Sequence, residues 1–199
     1  MGIYLGYREL VLTDDELSDF YSGLYEFPAD LARNEYVIIK NVEGAIVAKT
    51  RYDGEAMIQV RYPTITNRSM TVCGRNEYQY CAIDLLLARN IPVKLLLGTS
   101  GSGKDLLMSA AAMALIDRGK FQKIVYIRPN VTIEGVPDIG YRKGDTFQKL
   151  AWTLGPLIDK YGGQQAIENL IRRELLELVP LMEIRGRSFD NAIIYVSEG

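Results

Sequence analysis

The sequence contains no histidine, so catalytic triads, general bases and metal ligands that depend on imidazole are excluded. Any chemistry must therefore come from carboxylates, lysine, arginine, hydroxyl groups or a bound metal. Cysteine is scarce too. The two thiols, Cys73 and Cys81, are too few for a disulfide framework or a zinc site. We expect both to be reduced, structural residues.

Long apolar runs are also absent. No stretch reaches the roughly 18 consecutive apolar residues that predict a membrane-spanning helix. Met1 is followed by Tyr4 and Arg8 rather than by the pattern of a signal peptide. We therefore expect a cytoplasmic protein with no membrane partner. The net charge of −2 argues against a surface that coats nucleic acid broadly, although a local basic site remains open.

Residues 1–72 predict a β-rich N-terminal appendage with one short helix. Thr13 and Glu16 have the spacing of a capping box, which opens a helix through about residue 25. Segments rich in β-branched residues predict strands at residues 7–12, 36–40, 45–51 and 56–61. Turn residues such as Gly44 and Gly54 separate the last three, so we predict a small antiparallel sheet. Residues 63–75 are predicted to be a linker.

Residues 73–199 show a different pattern, in which helices and strands alternate. Helices are predicted at residues 77–88, 104–118, 145–161 and 164–178. Strands are predicted at residues 93–97, 123–127, 181–184 and 192–196. Short continuous apolar runs such as the first of these are typical of strands buried on both faces. The alternation predicts an α/β fold with a parallel sheet and right-handed crossovers.

A glycine-rich loop follows the strand predicted at residues 93–97. Its sequence, GTSGSGK, matches the phosphate-binding pattern G-x-x-x-x-G-K. A loop of this kind between a strand and a helix directs backbone N–H groups and the helix dipole at phosphate. The predicted nucleotide-binding residues are Gly98, Thr99, Ser100, Gly101, Ser102, Gly103 and Lys104. Lys104 is predicted to reach the β- and γ-phosphates and to be essential; the alternative is a turn with no ligand.

Two positions depart from the usual magnesium ligands. A phosphate loop normally continues with Ser or Thr, but Asp105 follows Lys104 here. At the other motif of such sites, an apolar strand is followed by Asp-Glu, whereas this chain has Ser197 and Glu198. We predict that Asp105 and Ser197 have exchanged the two magnesium ligands and that Glu198 is the general base. Two independent losses, which would leave an inactive site, are the alternative.

Polar residues outside the loop are candidates for contacts to the base and to phosphate. Asn76 and Gln79 carry amides that can hydrogen-bond an adenine edge, although a helix cap beside a solvated amide is the alternative. Arg185 and Arg187 flank a glycine and suit phosphate of a nucleotide or of RNA, with an exposed turn as the alternative. Arg128 is a further candidate for such a contact.

These motifs together resemble the PhoH-like family of phosphate-starvation-inducible ATPases. The resemblance includes Asn76 with Gln79, the loop at 98–104, Arg128-Pro129, and the motifs at residues 140–145, 185–188 and 196–198. Residues 6–62 look like the connector that precedes this ATPase in members fused to a PIN ribonuclease domain. The resemblance implies a RecA-like P-loop fold, ATP and Mg²⁺ as ligands, ATP hydrolysis, and kinship with superfamily-one helicases that act on RNA. In such helicases the Asn/Gln element reads adenine.

The resemblance also implies strands beyond the final glutamate, including one that inserts between the strands predicted at residues 93–97 and 192–196. Because the sequence ends at Gly199, we expect a fragment that hydrolyses ATP poorly alone. The sheet is expected to have a gap, to pair with another chain, or to bring the strands predicted at residues 93–97 and 192–196 closer together. A nucleotide-binding protein without turnover and a nucleic-acid-binding module with a vestigial loop remain alternatives. RNA and a second copy of the chain are the candidate macromolecular partners.

Overall fold

The computed structural model describes residues 5–128 and 162–197. By its internal contacts the chain divides into two compact units. One unit combines Met1–Thr64 with Cys73–Lys94, and the other combines Ile65–Val72 with Leu95–Gly199. The domain boundary near residue 72 stays a prediction. Within the described ranges, no helix combines the length and the apolarity that crossing a membrane requires.

The first unit contains a four-stranded sheet whose strands lie in chain order. They are β1 (Tyr7–Leu12), β2 (Tyr36–Asn41), β3 (Ile46–Tyr52) and β4 (Met57–Gln59). Strands β2 to β4 are antiparallel, as predicted, but β1 runs parallel to β2. A parallel pair needs a crossover, and helix α1 (Asp14–Ser22) lies within it. The strand predictions are confirmed, and β2 to β4 form the predicted antiparallel sheet, to which β1 adds a parallel strand.

Both faces of strand β2 are buried. Val37 and Ile39 belong to a cluster on one face, which the partly buried apolar side chains of α1 complete. Tyr36 packs on the other face with Cys81 of helix α2 (Glu77–Leu87). Burial raises the pKa of the Cys81 thiol to about 12, which keeps it protonated and unreactive. Because successive side chains of β2 point to opposite faces of the sheet, this unit has one packed layer on each face.

A hydrogen-bonded ion pair ties α2 to the sheet. Arg51 on β3 donates from Nε to Asp84 Oδ2 at 2.9 Å, and the Tyr36 hydroxyl donates to the same oxygen at 2.8 Å. Arg51 is 7% exposed, and its second contact is to Asn34 Oδ1 at 3.2 Å. Burial, together with the Asp84 charge, raises the pKa of Tyr36 above its ordinary range. The buried guanidinium thus has its counter-charge within the unit.

The segment predicted to be a linker contains a hairpin, so that prediction was wrong. Strands β5 (Thr64–Thr66) and β6 (Thr71–Cys73) pair with each other. Asn67 closes the turn, because its side-chain oxygen accepts the backbone N–H groups of Ser69 and Met70 at 2.9 Å each. The polar composition that indicated a linker is the composition of this turn.

The second unit contains a three-stranded parallel sheet, which confirms the α/β class. Strands β7 (Lys123–Arg128), β8 (Leu176–Pro180) and β9 (Ala192–Val196) have the order β8-β7-β9. Helices α3 (Lys104–Asp117) and α4 (Gln164–Arg172) contribute to the cluster on one face of this sheet. That cluster contains Ala112, Met113, Ile116, Ile124, Tyr126, Ile167, Leu176 and Tyr195. Its position brings the first turn of α3 to the carboxyl end of β9.

Residues 93–97 do not form the buried strand that their sequence predicted. Val93, Leu95 and Leu97 are 83%, 74% and 81% exposed, and no described strand pairs with this segment. A strand is buried only when neighbouring strands accept and donate its backbone hydrogen bonds. In the part of the chain that the structure describes, β9 pairs with β7 alone. The apolar run indicates the preference of this segment for a strand, but it does not reveal whether a neighbouring strand pairs with it.

Two further predictions were wrong between residues 164 and 184. The predicted helix ends at Arg172, because Glu174 adopts a left-handed conformation with φ +59° and β8 then begins. The strand predicted at residues 181–184 is a 3₁₀ helix, Leu181–Ile184. At the first of these places the pairing of β8 with β7 overrides the local pattern. The helix predicted at residues 145–161 lies outside the described residues.

Candidate functional site

The glycine-rich loop leads directly into helix α3. Gly101 and Gly103 have φ angles of +77° and +88°, in the left-handed region that favours glycine. Gly103 is the N-cap residue, and no side chain caps the helix there. The first backbone N–H groups of α3 therefore keep their capacity to donate to an anion, and the helix dipole adds a favourable field.

Lys104 folds back over the loop that precedes it. Its ammonium donates to the carbonyl oxygens of Gly98 at 2.6 Å and Thr99 at 2.8 Å, and to Ser102 Oγ at 3.4 Å. The loop is tight at this point, since a Cβ added to Gly98 would lie 3.0 Å from Ser102 Oγ. The positive charge is thus held inside the loop, and Ser100 and Gly101 complete the turn around it.

Asp105 and Ser197, the two predicted magnesium ligands, lie together. Asp105 Oδ1 accepts a hydrogen bond from Ser197 Oγ at 3.3 Å, although the two residues are 92 positions apart. The same carboxylate oxygen accepts from the Tyr195 hydroxyl at 2.8 Å. Ser197 is 5% exposed and Tyr195 is 4% exposed. The assignment of Asp105 and Ser197 to a metal stays a prediction, and Tyr195 is a residue that sequence reasoning missed.

The alternation of β9 explains why these groups meet. Ile193 and Tyr195 face the cluster under α3, and Ser197 continues that face two residues later. The backbone N–H of Ser197 donates to Ile127 O at 3.1 Å, which extends the ladder between β7 and β9. The sequence does carry a signal for Tyr195: it is a tyrosine in an otherwise aliphatic strand, two residues before a predicted ligand.

The oxygen atoms at this place fit magnesium that arrives with a nucleotide. The carboxylate of Asp105 and the hydroxyl of Ser197 are hard oxygen ligands of the kind that Mg²⁺ prefers. Within the residues the structure describes, no three acidic, cysteine or histidine side chains cluster as a metal site of their own. Mg²⁺ usually keeps several waters and binds substrate phosphates through one or two protein ligands. Asp105 with Ser197 suits that second mode.

Asn76 and Gln79 belong to the first unit, where both amides contact backbone. Asn76 is the N-cap residue of α2, and its side chain accepts the Gln79 N–H at 2.9 Å. Gln79 Oε1 accepts the N–H of Arg75 at 2.7 Å. These contacts place the two side chains at the start of α2. Their contact with adenine stays a prediction.

The predicted arginine contacts differ in their surroundings. Both arginines are exposed. Arg187 also forms an ion pair with Glu177, and its Cζ lies 4.8 Å from the centroid of the Phe189 ring. Burial raises the pKa of Glu177, but hydrogen bonds from Lys123 and Arg187 outweigh it and leave the pKa below its ordinary value. Phosphate or RNA contact by these arginines stays a prediction.

Two predicted residues cannot be placed within the site. Arg128 ends strand β7, and its side chain lies outside the described part of the structure. Glu198, the predicted general base, also lies outside the described residues. The assignments of Arg128 and Glu198 stay predictions.

Comparison with known proteins identifies relatives. A family model described as PhoH-like protein matches residues 71–199. Protein PhoH2 from Thermobispora bispora is 28% identical over 202 residues, which cover 98% of this chain and 45% of the relative. Protein PhoH2 from Bacillus subtilis is 28% identical over 212 residues, covering 98% of this chain and 47% of the relative. Protein PhoH2 from Mycolicibacterium smegmatis is 32% identical over 129 residues, which cover 63% of this chain and 29% of the relative.

The chain spans less than half of the length of each of these three relatives. The family match nevertheless contains the glycine-rich loop, Asp105 and the whole of β9. These are the parts of the chain that form the candidate site, and they have the character of a P-loop NTPase. The chain belongs to the PhoH-like protein family.

Proposed function

We propose that this chain binds ATP with Mg²⁺ at the glycine-rich loop and hydrolyses it, with RNA as its macromolecular partner. The observation that carries the proposal is the contact between Asp105 and Ser197 directly after Lys104. It joins the first turn of the loop helix to the end of β9, as a nucleotide site requires. Magnesium, when bound, would offset the negative charge of the phosphates during transfer.

Each part of the site has a role in this proposal. The N–H groups of the loop and of the first turn of α3 bind phosphate oxygens, and Lys104 exchanges its loop carbonyls for the β- and γ-phosphates. Asp105 and Ser197 supply oxygen ligands for magnesium. Glu198 orients and deprotonates the attacking water, and Gln79 recognises adenine.

The test is a titration of the chain with ATP, with and without Mg²⁺. Lys104→Ala should weaken Mg·ATP binding by about tenfold or more, because a charge-assisted contact to phosphate is lost. Lys120→Ala is the matched control, since it removes an exposed lysine just after the same helix. Unchanged ATP affinity in the Lys104 variant would overturn the proposal. The same titration with GTP tests whether adenine is recognised. Measuring ATP turnover with and without single-stranded RNA tests whether hydrolysis is coupled to RNA binding.

Nucleotide binding without turnover is the second candidate, and residues 93–97 favour it. These residues lead into the loop, but in the described part of the chain they form no strand. A loop anchored to the sheet on one side is held less firmly, and hydrolysis is more sensitive than binding to small displacements. Mg·ATP affinity without measurable turnover would support this candidate. Absence of any nucleotide binding would instead support a nucleic-acid-binding module with a vestigial loop.

A further inference from the structure

We propose that Tyr195 is a positioning residue of this site, whose hydroxyl holds the Asp105 carboxylate so that its second oxygen faces a divalent cation. The proposal rests on the proposed function and adds a residue that acts through Asp105 rather than on the ligand. It stands on the geometry of the carboxylate, on the packing of the tyrosine and on the charges around both.

The two oxygens of Asp105 have different surroundings. Oδ1 accepts from the Tyr195 hydroxyl at 2.8 Å and from Ser197 Oγ at 3.3 Å. Among the residues that the structure describes, none donates a hydrogen bond to Oδ2. Two donors on one oxygen oppose rotation of the carboxylate, because rotation would break both contacts. Oδ2 is therefore the oxygen presented to a ligand.

The Tyr195 hydroxyl is itself held in place by packing. Its ring is 4% exposed and meets the ring of Tyr126 edge-on, with centroids 5.1 Å apart and an interplanar angle of 89°. Both rings belong to the cluster between the sheet and helices α3 and α4. A side chain packed this closely has one accessible rotamer. Its hydroxyl is therefore held at a fixed position, from which it donates to Asp105.

The hydrogen bonds to Asp105 orient its carboxylate without supplying an opposite charge. Hydroxyl groups donate hydrogen bonds to a carboxylate without neutralising it. Within the described ranges, no lysine or arginine forms an ion pair with Asp105. The ammonium of the adjacent Lys104 is directed to loop carbonyls instead. A divalent cation therefore meets an oriented carboxylate with which no described lysine or arginine forms an ion pair.

Tyr195→Phe tests the proposal, because it keeps the ring and removes only the hydroxyl. The Mg²⁺ concentration that half-saturates nucleotide binding should rise about tenfold, the loss expected for one hydrogen bond to a charged group. The affinity for ATP in the presence of a chelator should change less than about twofold, since that complex does not use the oriented oxygen. Tyr126→Phe, which removes a hydroxyl from the same cluster, is the matched control and should leave both quantities unchanged.

A double-mutant cycle with Asp105→Asn separates positioning from packing. If Tyr195 acts through Asp105, the Phe substitution should have no further effect on the Mg²⁺ requirement in the Asn background. An equal shift in both backgrounds, or none in the wild type, would overturn the proposal. A wild-type chain that binds no Mg·nucleotide would overturn the proposed function as well. A Phe variant that does not fold would show that the hydroxyl stabilises the fold itself rather than positioning Asp105, and would overturn the proposal as well.

Discussion

Two aspartates in this protein accept a hydrogen bond from a tyrosine hydroxyl at the same distance, 2.8 Å, in different surroundings. Asp84, which Tyr36 contacts, also accepts from the buried guanidinium of Arg51, so its charge is balanced within the unit. On Asp105, Oδ1 accepts hydrogen bonds from the hydroxyls of Tyr195 and Ser197, and no charged donor contacts it among the described residues. The comparison teaches that the counter-charge, rather than the tyrosine contact, distinguishes Asp84 from Asp105, the carboxylate that we propose binds magnesium.

The largest effect is expected when the structural carboxylate is removed. Asp84→Ala should lower the free energy of unfolding by about 3 kcal/mol or more, because Arg51 is left buried without its partner. Urea denaturation followed by circular dichroism measures this change. Asp105→Ala is the comparison and should cost less, about 1–2 kcal/mol, since it removes an acceptor from two buried hydroxyls but leaves no buried charge without its partner. Equal losses in the two variants would remove the distinction between the two sites.

An intermediate effect is expected when the carboxylate of Asp105 is moved to residue 197. Asp105→Ser and Ser197→Asp should each weaken Mg·ATP binding by about tenfold, because the ligand set then has two hydroxyls or two carboxylates. The double variant restores one of each and should bind within about threefold of the wild type. Calorimetric titration of all four proteins measures the coupling. Additive losses without recovery would mean that the two ligands were never exchanged.

The smallest effect concerns Glu177, a third carboxylate, which pairs with Lys123 and Arg187 near the surface. Its pKa lies below the ordinary value, so its contribution to stability is present above the unfolded pKa and is lost as the pH falls through the folded one. Glu177→Gln should therefore lose less stability than the wild type between about pH 5 and pH 3. The difference should be about 0.5 kcal/mol, as for other partly exposed ion pairs.

Urea denaturation at each pH measures this difference. Glu183→Gln, which replaces an exposed glutamate in the 3₁₀ helix, is the matched control. If both variants follow the wild-type pH dependence, the ion pairs of Glu177 contribute nothing measurable to folding.

Several features were predictable from sequence because they depend on neighbouring residues. The capping box between Thr13 and Glu16 is present, and its two side chains make the expected reciprocal contacts. Helix α3 begins at Lys104, directly after the glycines that allow the turn. The family implied by the motifs is confirmed by the match to residues 71–199. Each of these is a pattern within a few residues, where propensity and capping dominate.

Other features were not predictable because they depend on what the rest of the chain supplies. Residues 93–97 and 192–196 are both short apolar runs, but among the described residues only the second pairs with another strand and becomes β9. The strand segments alone do not give the direction of β1, which is parallel to β2 because helix α1 lies in the crossover between them. Neither outcome can be read from hydrophobicity, since strand pairing is decided between distant segments.

The sequence by itself determined the chemistry available to this protein. It excludes imidazole, places glycines and Lys104 at the start of a helix, and has an aspartate at residue 105 and a serine at residue 197. Only the tertiary structure decided that these two residues meet and that Tyr195 joins them. The physical reason is that a contact between a helix start and a strand end depends on the order of strands in the sheet and on the packing of α3 against it.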